Sequence, residues 1–518
     1  MSSNAAAQGS ANGLVGAKKY YLLAALVTAS ADFLFYDQPV GISAAIFICL
    51  LAIVAAVANN IARPRRPVMA AAGILAASLL PMIEAFGLFS MLSGLAGLSV
   101  YTLMISGGFS GGFADKASDI IGLLTGGPIE FFSAIGRSIG LGQSKISQRE
   151  NQNRMLAWVL PLAMAVIFVI LFRMANPVIE DWLRASDAID ALWPPNLARV
   201  LFWLCAAGLT WSFVTALPQS GRSWWMNPAL VPDAPSEGAE QPTESAEQKQ
   251  VPTRDHWMSV VFGRDAVLRS LLLFNALFAV QTVLDLTYLW GGASLPDGMT
   301  YADYAHRGAY PLLATALMSA LFVLLAMWPL STAQNSATNR ALVYLWVAQN
   351  VLLVISSILR LELYIEVYSL SYWRIGALIW MVLVAVGLAL IVTRIALRRD
   401  NEWLISWNVI ALATTIYLCG FANFAHIVAD HNVKQSLGET DTARALDVNY
   451  ICALGAQAIP AMEAYVANTS PAAVYGKKQL AACLYVDIAE HDARYKNWRA
   501  WSFRDWRLQN YLNDRGTL

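Results

Sequence analysis

The feature that most constrains this chain is the recurrence of apolar stretches about 20 residues long, enough to cross the hydrocarbon core of a bilayer. They fall near 19–36, 41–58, 68–84, 87–105, 155–173, 198–217, 269–290, 310–330, 341–359, 373–393 and 403–427, about eleven in all. A backbone in hydrocarbon must satisfy its own N–H and C=O groups, so each stretch is expected to be a helix. The fold class is therefore an all-α polytopic transmembrane bundle of about 11 spans. Composition agrees: 57% of residues are hydrophobic, 14% are charged, 18 are tryptophan, and the mean hydropathy is +0.49. The polar, small residues 1–17 and the missing cleavage site argue that the first apolar run is retained rather than removed as a signal peptide.

Net charge is zero, with 35 basic and 35 acidic residues, so there is no global attraction to nucleic acid. Distribution is more informative. With the N-terminus inside, the inner segments collect Lys18 and Lys19, the Arg63–Arg66 cluster, the basic residues of 116–154 and 222–269, and the trio Arg394, Arg398 and Arg399. The outer connections hold few, among them Arg184, Arg199, Arg307, Arg360 and Arg374. This bias predicts a cytoplasmic N-terminus and, with an odd helix count, a C-terminal tail on the outer side.

The predicted organisation is a disordered N-terminal tail at 1–17, a first transmembrane half at 18–217, a cytoplasmic linker at 218–268, a second half at 269–428 and a helical extracytoplasmic domain at 429–518. Pro, Glu, Gln and Ser dominate 228–255, a composition that cannot bury enough apolar surface to fold. Within the first half, 106–153 alternates glycines with short amphipathic runs and reads as interfacial helices on the inner leaflet. Its glycines do not form a phosphate loop, for no Walker lysine follows and no strand precedes. The tail carries Trp498 and Trp501 beside Arg499, Arg504 and Arg507. That mixture could stack on nucleic acid, but a position outside favours packing on the bundle or on lipid headgroups.

The segment LRLELYIEVYSLSYWRIG, residues 359–376, sets Arg360, Glu362, Glu366 and Arg374 between two apolar runs without Gly, Pro or Asn to turn the chain before Arg374. If 360–368 continues the helix, the turn falls near SLSY. Asp32, Asp37, Asp285, His306, Arg307 and His426 lie at the same outer depth, with His426 at the end of the eleventh span. Ionised groups near hydrocarbon are costly, so they are expected to face inward and pair, forming a polar chamber roofed by the tail. A simple anchoring role in the headgroup layer competes for Arg374, Tyr372 and Trp373. Asp285 lies inside its apolar run with Gln281 one turn earlier, and an ion pair with Arg360 or Arg307 is its expected role. No catalytic residue, metal site or cofactor is assigned: the spacing of His426 and His431 would suit zinc, yet no supporting motif accompanies it. Cys452 and Cys483 would be free to pair in an oxidising exterior.

Four stretches, ADFLFYDQPVGISAAIF, YADYAHRGAYPLL, LRLELYIEVYSLSYWRIGALIWM and LDVNYICALGAQAIPAM, occur in an order that resembles a bacterial membrane-protein family known as a domain of unknown function, the 4173 type and its relative the 4153 type. The resemblance implies a bacterial inner-membrane protein and carries no activity with it. One departure stands out. Where that family's arginine segment is expected to hold a glycine after its second tyrosine, this chain has Ser369.

These readings favour a non-enzymatic sensor, scaffold or assembly factor, with membrane lipid and a protein bound by the tail as partners. The alternative is a secondary transporter using the buried aspartates. No nucleophile or metal constellation supports an enzyme.

Overall fold

A computed structural model describes residues 2–59, 65–107, 112–138, 195–215, 264–290, 337–438, 445–468 and 474–515. Among these residues every element is helical. Among the described residues, six helices are long and apolar enough to cross a membrane, and Ile42–Ala58 and Arg199–Thr215 are apolar but shorter. The expected spans at 155–173 and 310–330 lie outside the described residues, as do His306 and Arg307.

Contacts divide the chain into two compact units. The first comprises Met1–Ala234, Cys419–Phe421 and Arg494–Leu518, and the second Pro235–Leu418 and Ala422–Ala493. The tail is shared between the two units.

The first unit contains α1 (Ser2–Phe35), α2 (Ile42–Ala58), α3 (Arg65–Glu84), α4 (Leu88–Ser106), α5 (Phe113–Ser138) and α6 (Pro195–Thr215). Its core is made of small and aliphatic side chains such as Val27, Ala55, Ala71 and Leu98, all fully buried or nearly so. Small residues suit helices in lipid, where close backbone approach rather than water exclusion supplies the attraction. Within the segment expected to hold short amphipathic helices, residues 113–138 form one continuous helix, α5. One of its glycines, Gly127, is a contact point rather than a hinge. A Cβ at Gly127 would lie 2.6 Å from the Gly208 carbonyl of α6, so a bare backbone is what lets α5 and α6 touch.

The second unit contains α7 (Arg264–Leu284) with a π-helical turn at Asp285–Trp290, α8 (Ala337–Tyr368), α9 (Tyr372–Ala396), α10 (Asn401–Phe421, whose last turn groups with the first unit) and α11 (Phe424–Leu437). Its tail helices are α12 (Val448–Cys452), α13 (Ile459–Asn468) and α14 (Val474–Tyr495). Amides join α7 to α8: Asn275 Nδ2 donates to the Leu342 carbonyl at 3.1 Å, and Gln349 Nε2 donates to the Asn275 carbonyl at 3.1 Å. Such bonds between apolar helices fix rotation and register.

One boundary differs from expectation and another falls where it was placed. The eleventh apolar run ends at Phe421 rather than near 427, because Asn423 caps a new helix: its side chain accepts from the His426 amide at 3.2 Å. His426 therefore opens α11 instead of closing α10. The turn near SLSY is present, with Tyr368 ending α8 and Ser371 preceding α9. Ser369 takes φ of +67°, the left-handed region where glycine is at ease and an L side chain is not.

Candidate functional site

In the second unit, Arg360 and Asp285 form an ion pair, with side chains 3% and 2% exposed. Gln281 Nε2 also donates to Asp285 Oδ1 at 2.9 Å. Asp285 is the first residue of the π-helical turn, so the change of helical pitch begins where the carboxylate meets α8. This is the partnership expected from the placement of a short acidic side chain inside an apolar run.

The other charges of the quoted segment do different work. Arg374 folds back from α9 and donates to the Tyr368 carbonyl at 2.6 Å and also to the Ser369 carbonyl. Its guanidinium lies 4.6 Å from the centre of the Tyr364 ring. A cation over the last carbonyls of α8 satisfies acceptors that the helix leaves open and opposes the negative end of its dipole. Asn432 of α11 clamps the same turn, accepting from the Leu370 amide at 2.7 Å and donating to the Leu370 carbonyl at 3.0 Å. The hydroxyl of Tyr450 accepts from the Tyr372 amide at 3.1 Å. Glu362 and Glu366 remain exposed, and His426 is half-buried. Arg374 thus holds the turn, while Glu362 and Glu366 are exposed.

The tail of the second unit is stapled. Cys452 of α12 and Cys483 of α14 form a disulfide, with Cα atoms 5.7 Å apart. Asn423 also donates to Gln457 at 2.9 Å, tying the start of α11 to the tail.

In the first unit, Asp32 of α1 accepts from Arg199 Nε at 2.8 Å and from Trp203 Nε1 at 2.9 Å, both on α6. Asp37 is exposed, at a positive φ of 52° in the turn between α1 and α2. The last stretch of the chain docks on this end of the unit. The Ile42 amide donates to the Trp501 carbonyl at 2.8 Å, Arg494 donates to the Val40 carbonyl at 3.2 Å, and Asn497 Nδ2 donates to Gln38 at 3.0 Å. A side chain at Gly41 would collide with the Ala500 backbone. The final helix, α15 (Phe503–Asp514), brings Arg504 and Arg507 onto the buried Glu84 at the end of α3.

Asp32 and Asp37 thus belong to the first unit, and Asp285, Arg360, Glu362, Glu366, Arg374 and His426 to the second. Sequence reading found the charged positions but not the roles of Arg199, Trp203 and Asn432 as partners. Each sits on another helix, and no local spacing signals the pairing. Among the described residues, no group of three or more His, Cys, Asp or Glu gathers as a metal site.

Residues 22–465 match the model of a family described as a domain of unknown function, DUF4153. The chain belongs to this family. The 4173 type expected beside it is not shown by this match, and α14 and α15 lie beyond the matched residues. No curated protein and no solved structure matches the chain.

Proposed function

We propose that this member of the family is a non-enzymatic protein of a bacterial inner membrane, acting as a sensor, scaffold or assembly factor through its C-terminal helices. The observation that carries the reading is the outward face of α14. Leu480, Leu484 and His491 bury one side of that helix, while Tyr485 is 78% and Val486 50% exposed on the other. Exposed Ala481, Ala482 and Ala489 extend the same side. A rigid face of Tyr485, Val486 and alanines, bordered by exposed Lys478 and Glu490 and fixed by the Cys483 staple, suits a partner helix, because its ordering cost is already met before binding. The charges of the rim support the same reading, since Asp285, Asp32 and Glu84 are each engaged by arginine within their own unit. An outer position for the tail follows from the lysine and arginine bias, and a structural disulfide calls for an oxidising compartment.

A photoreactive phenylalanine at position 485 tests this in intact cells. A discrete adduct with a second protein, absent when the probe is at buried Leu484 and lost with Val486→Asp, is expected. The alternative is secondary transport, favoured by one observation: a buried carboxylate at the start of a π-helical turn. Solute flux in proteoliposomes that collapses in both Asp285→Asn and Asp32→Asn, with no adduct at 485, would overturn the scaffold reading.

A further inference from the structure

The turn joining α9 to α10 holds a cavity of about 520 Å³, lined by Arg398, Arg399, Asp400, Glu402, Trp403 and Ser406, all within the second unit. Its volume lies within the roughly 300–1,000 Å³ of ligand pockets. The turn is a Schellman motif: the Arg399 amide donates to the Arg394 carbonyl at 3.0 Å, and the Arg398 amide to the Ile395 carbonyl at 3.4 Å. Its left-handed position usually belongs to glycine, yet Arg398 occupies it at a φ of 50°. An arginine kept in a strained conformation points to work for its guanidinium, since the backbone alone would be better served by glycine. Among the described residues, neither Arg398 nor Arg399 has a hydrogen-bond or ion-pair partner, and both are exposed at the cavity.

The charges at this end of the unit decide the sign of the ligand. Asn275 meets Leu342 and Asp285 meets Arg360, so α7 and α8 run parallel, and the short turn after Tyr368 sends α9 back toward their first turns. Among the described residues that end carries Arg269, Arg340, Arg394, Arg398 and Arg399 against Asp400 and Glu402, while Arg264 and Asp265 cancel. Both carboxylates are answered by α10 itself. Asp400 caps it, accepting from the Trp403 amide at 2.9 Å, and Glu402 sits in its first turn, where the positive end of the helix offsets a negative charge. The surplus is cationic, and a zwitterionic headgroup would bring its own ammonium into it. The neighbourhood identifies the source of the anion. α9 and α10 each bury only 11% of their apolar stretch within the protein, so acyl chains border the turn. Trp403 and Trp407, with ring centres 6.1 Å apart, stand in the first two turns of α10, at the depth where indole rings seat among headgroups.

We propose that the α9–α10 turn is a binding site for one anionic phospholipid, its phosphodiester held by Arg398 and Arg399 and its glycerol end against Trp403. The test places the full-length protein in phosphatidylcholine nanodiscs doped with a phosphatidylglycerol that carries a diazirine at the start of an acyl chain, followed by peptide mapping. Labelling is expected within residues 397–407, competed by unlabelled phosphatidylglycerol and not by phosphatidylethanolamine or inorganic phosphate. An arginine near an anionic lipid surface contributes about fivefold in affinity, so Arg399→Gln should lower labelling about fivefold. Arg398→Gly should lower it by about the same factor with thermal stability unchanged or raised, because glycine relieves the left-handed position. That contrast separates a lost ligand contact from a damaged fold. Labelling unchanged in both variants, labelling as strong at the first turns of α7 and α8, equal competition by phosphatidylethanolamine or by inorganic phosphate, or a cross-link from a photoreactive residue at position 406 to residues 228–255 of the same chain each overturns the proposal.

Discussion

Removing the charge of Asp285 is the sharpest probe of how this bundle is held together. Asp285→Asn keeps the side-chain size and the contact with Gln281, but leaves the Arg360 guanidinium, 3% exposed, without its counter-ion. Breaking a buried pair in this way costs about 3–5 kcal/mol, most of it the penalty for an uncompensated buried charge. Arg360→Met exposes the opposite half of the same imbalance and should also destabilise by several kcal/mol. Replacing both, Asp285→Asn with Arg360→Met, removes both buried charges and is expected to recover most of that loss. The cycle then gives a coupling of at least about 2–3 kcal/mol. An ordinary polar contact between membrane helices averages only about 0.6 kcal/mol. Reversible unfolding in mixed micelles, followed by tryptophan emission, measures all four proteins. A coupling near 0.6 kcal/mol, or a cost for Asp285→Asn below about 1 kcal/mol, refutes the claim that this pair carries the contact between the π-helical turn and α8.

Four further outcomes can be checked. Ser369→Gly should raise stability by about 0.5–1 kcal/mol, because it relieves a left-handed L residue in the turn after α8; unchanged or lowered stability in the same assay would contradict that. Gly41→Val should release the last stretch of the chain, seen as rapid proteolysis after Arg494 with the rest intact, since the Ala500 backbone occupies the place of the new side chain. Cys452→Ser should lower stability by about 3–4 kcal/mol for a cross-link spanning 31 residues, and in intact cells should make Cys483 reactive to an impermeant maleimide; labelling only after lysis would place the tail inside. Burial and the neighbouring Glu490 push the Asp487 carboxyl of α14 up to about 6. A raised folded-state value contributes stability in acid that is lost as pH rises through 6, so Asp487→Asn should raise the melting temperature at pH 7.5 and leave it unchanged at pH 4.

The sequence by itself determined the solvent, and with it the helical class: apolar runs of bilayer length leave the backbone no other way to satisfy its hydrogen bonds. It also located the unusual positions, because a charge inside an apolar run is visible in one dimension. Asp285 was legible in this way, and so was the turn at SLSY, where a helix rich in charge gives way to the next apolar run. Which groups answer those charges was decided only in three dimensions. Arg199 lies 167 residues from Asp32, Arg507 lies 423 from Glu84, and nothing in their local spacing distinguishes a partner from a headgroup anchor. The same holds for Gly127, which resembles a hinge in sequence and is a contact because Gly208 of α6 happens to face it. Local pattern reports the cost of placing a residue in lipid. Relief of that cost depends on which helix lies alongside, and that is a property of the packed bundle.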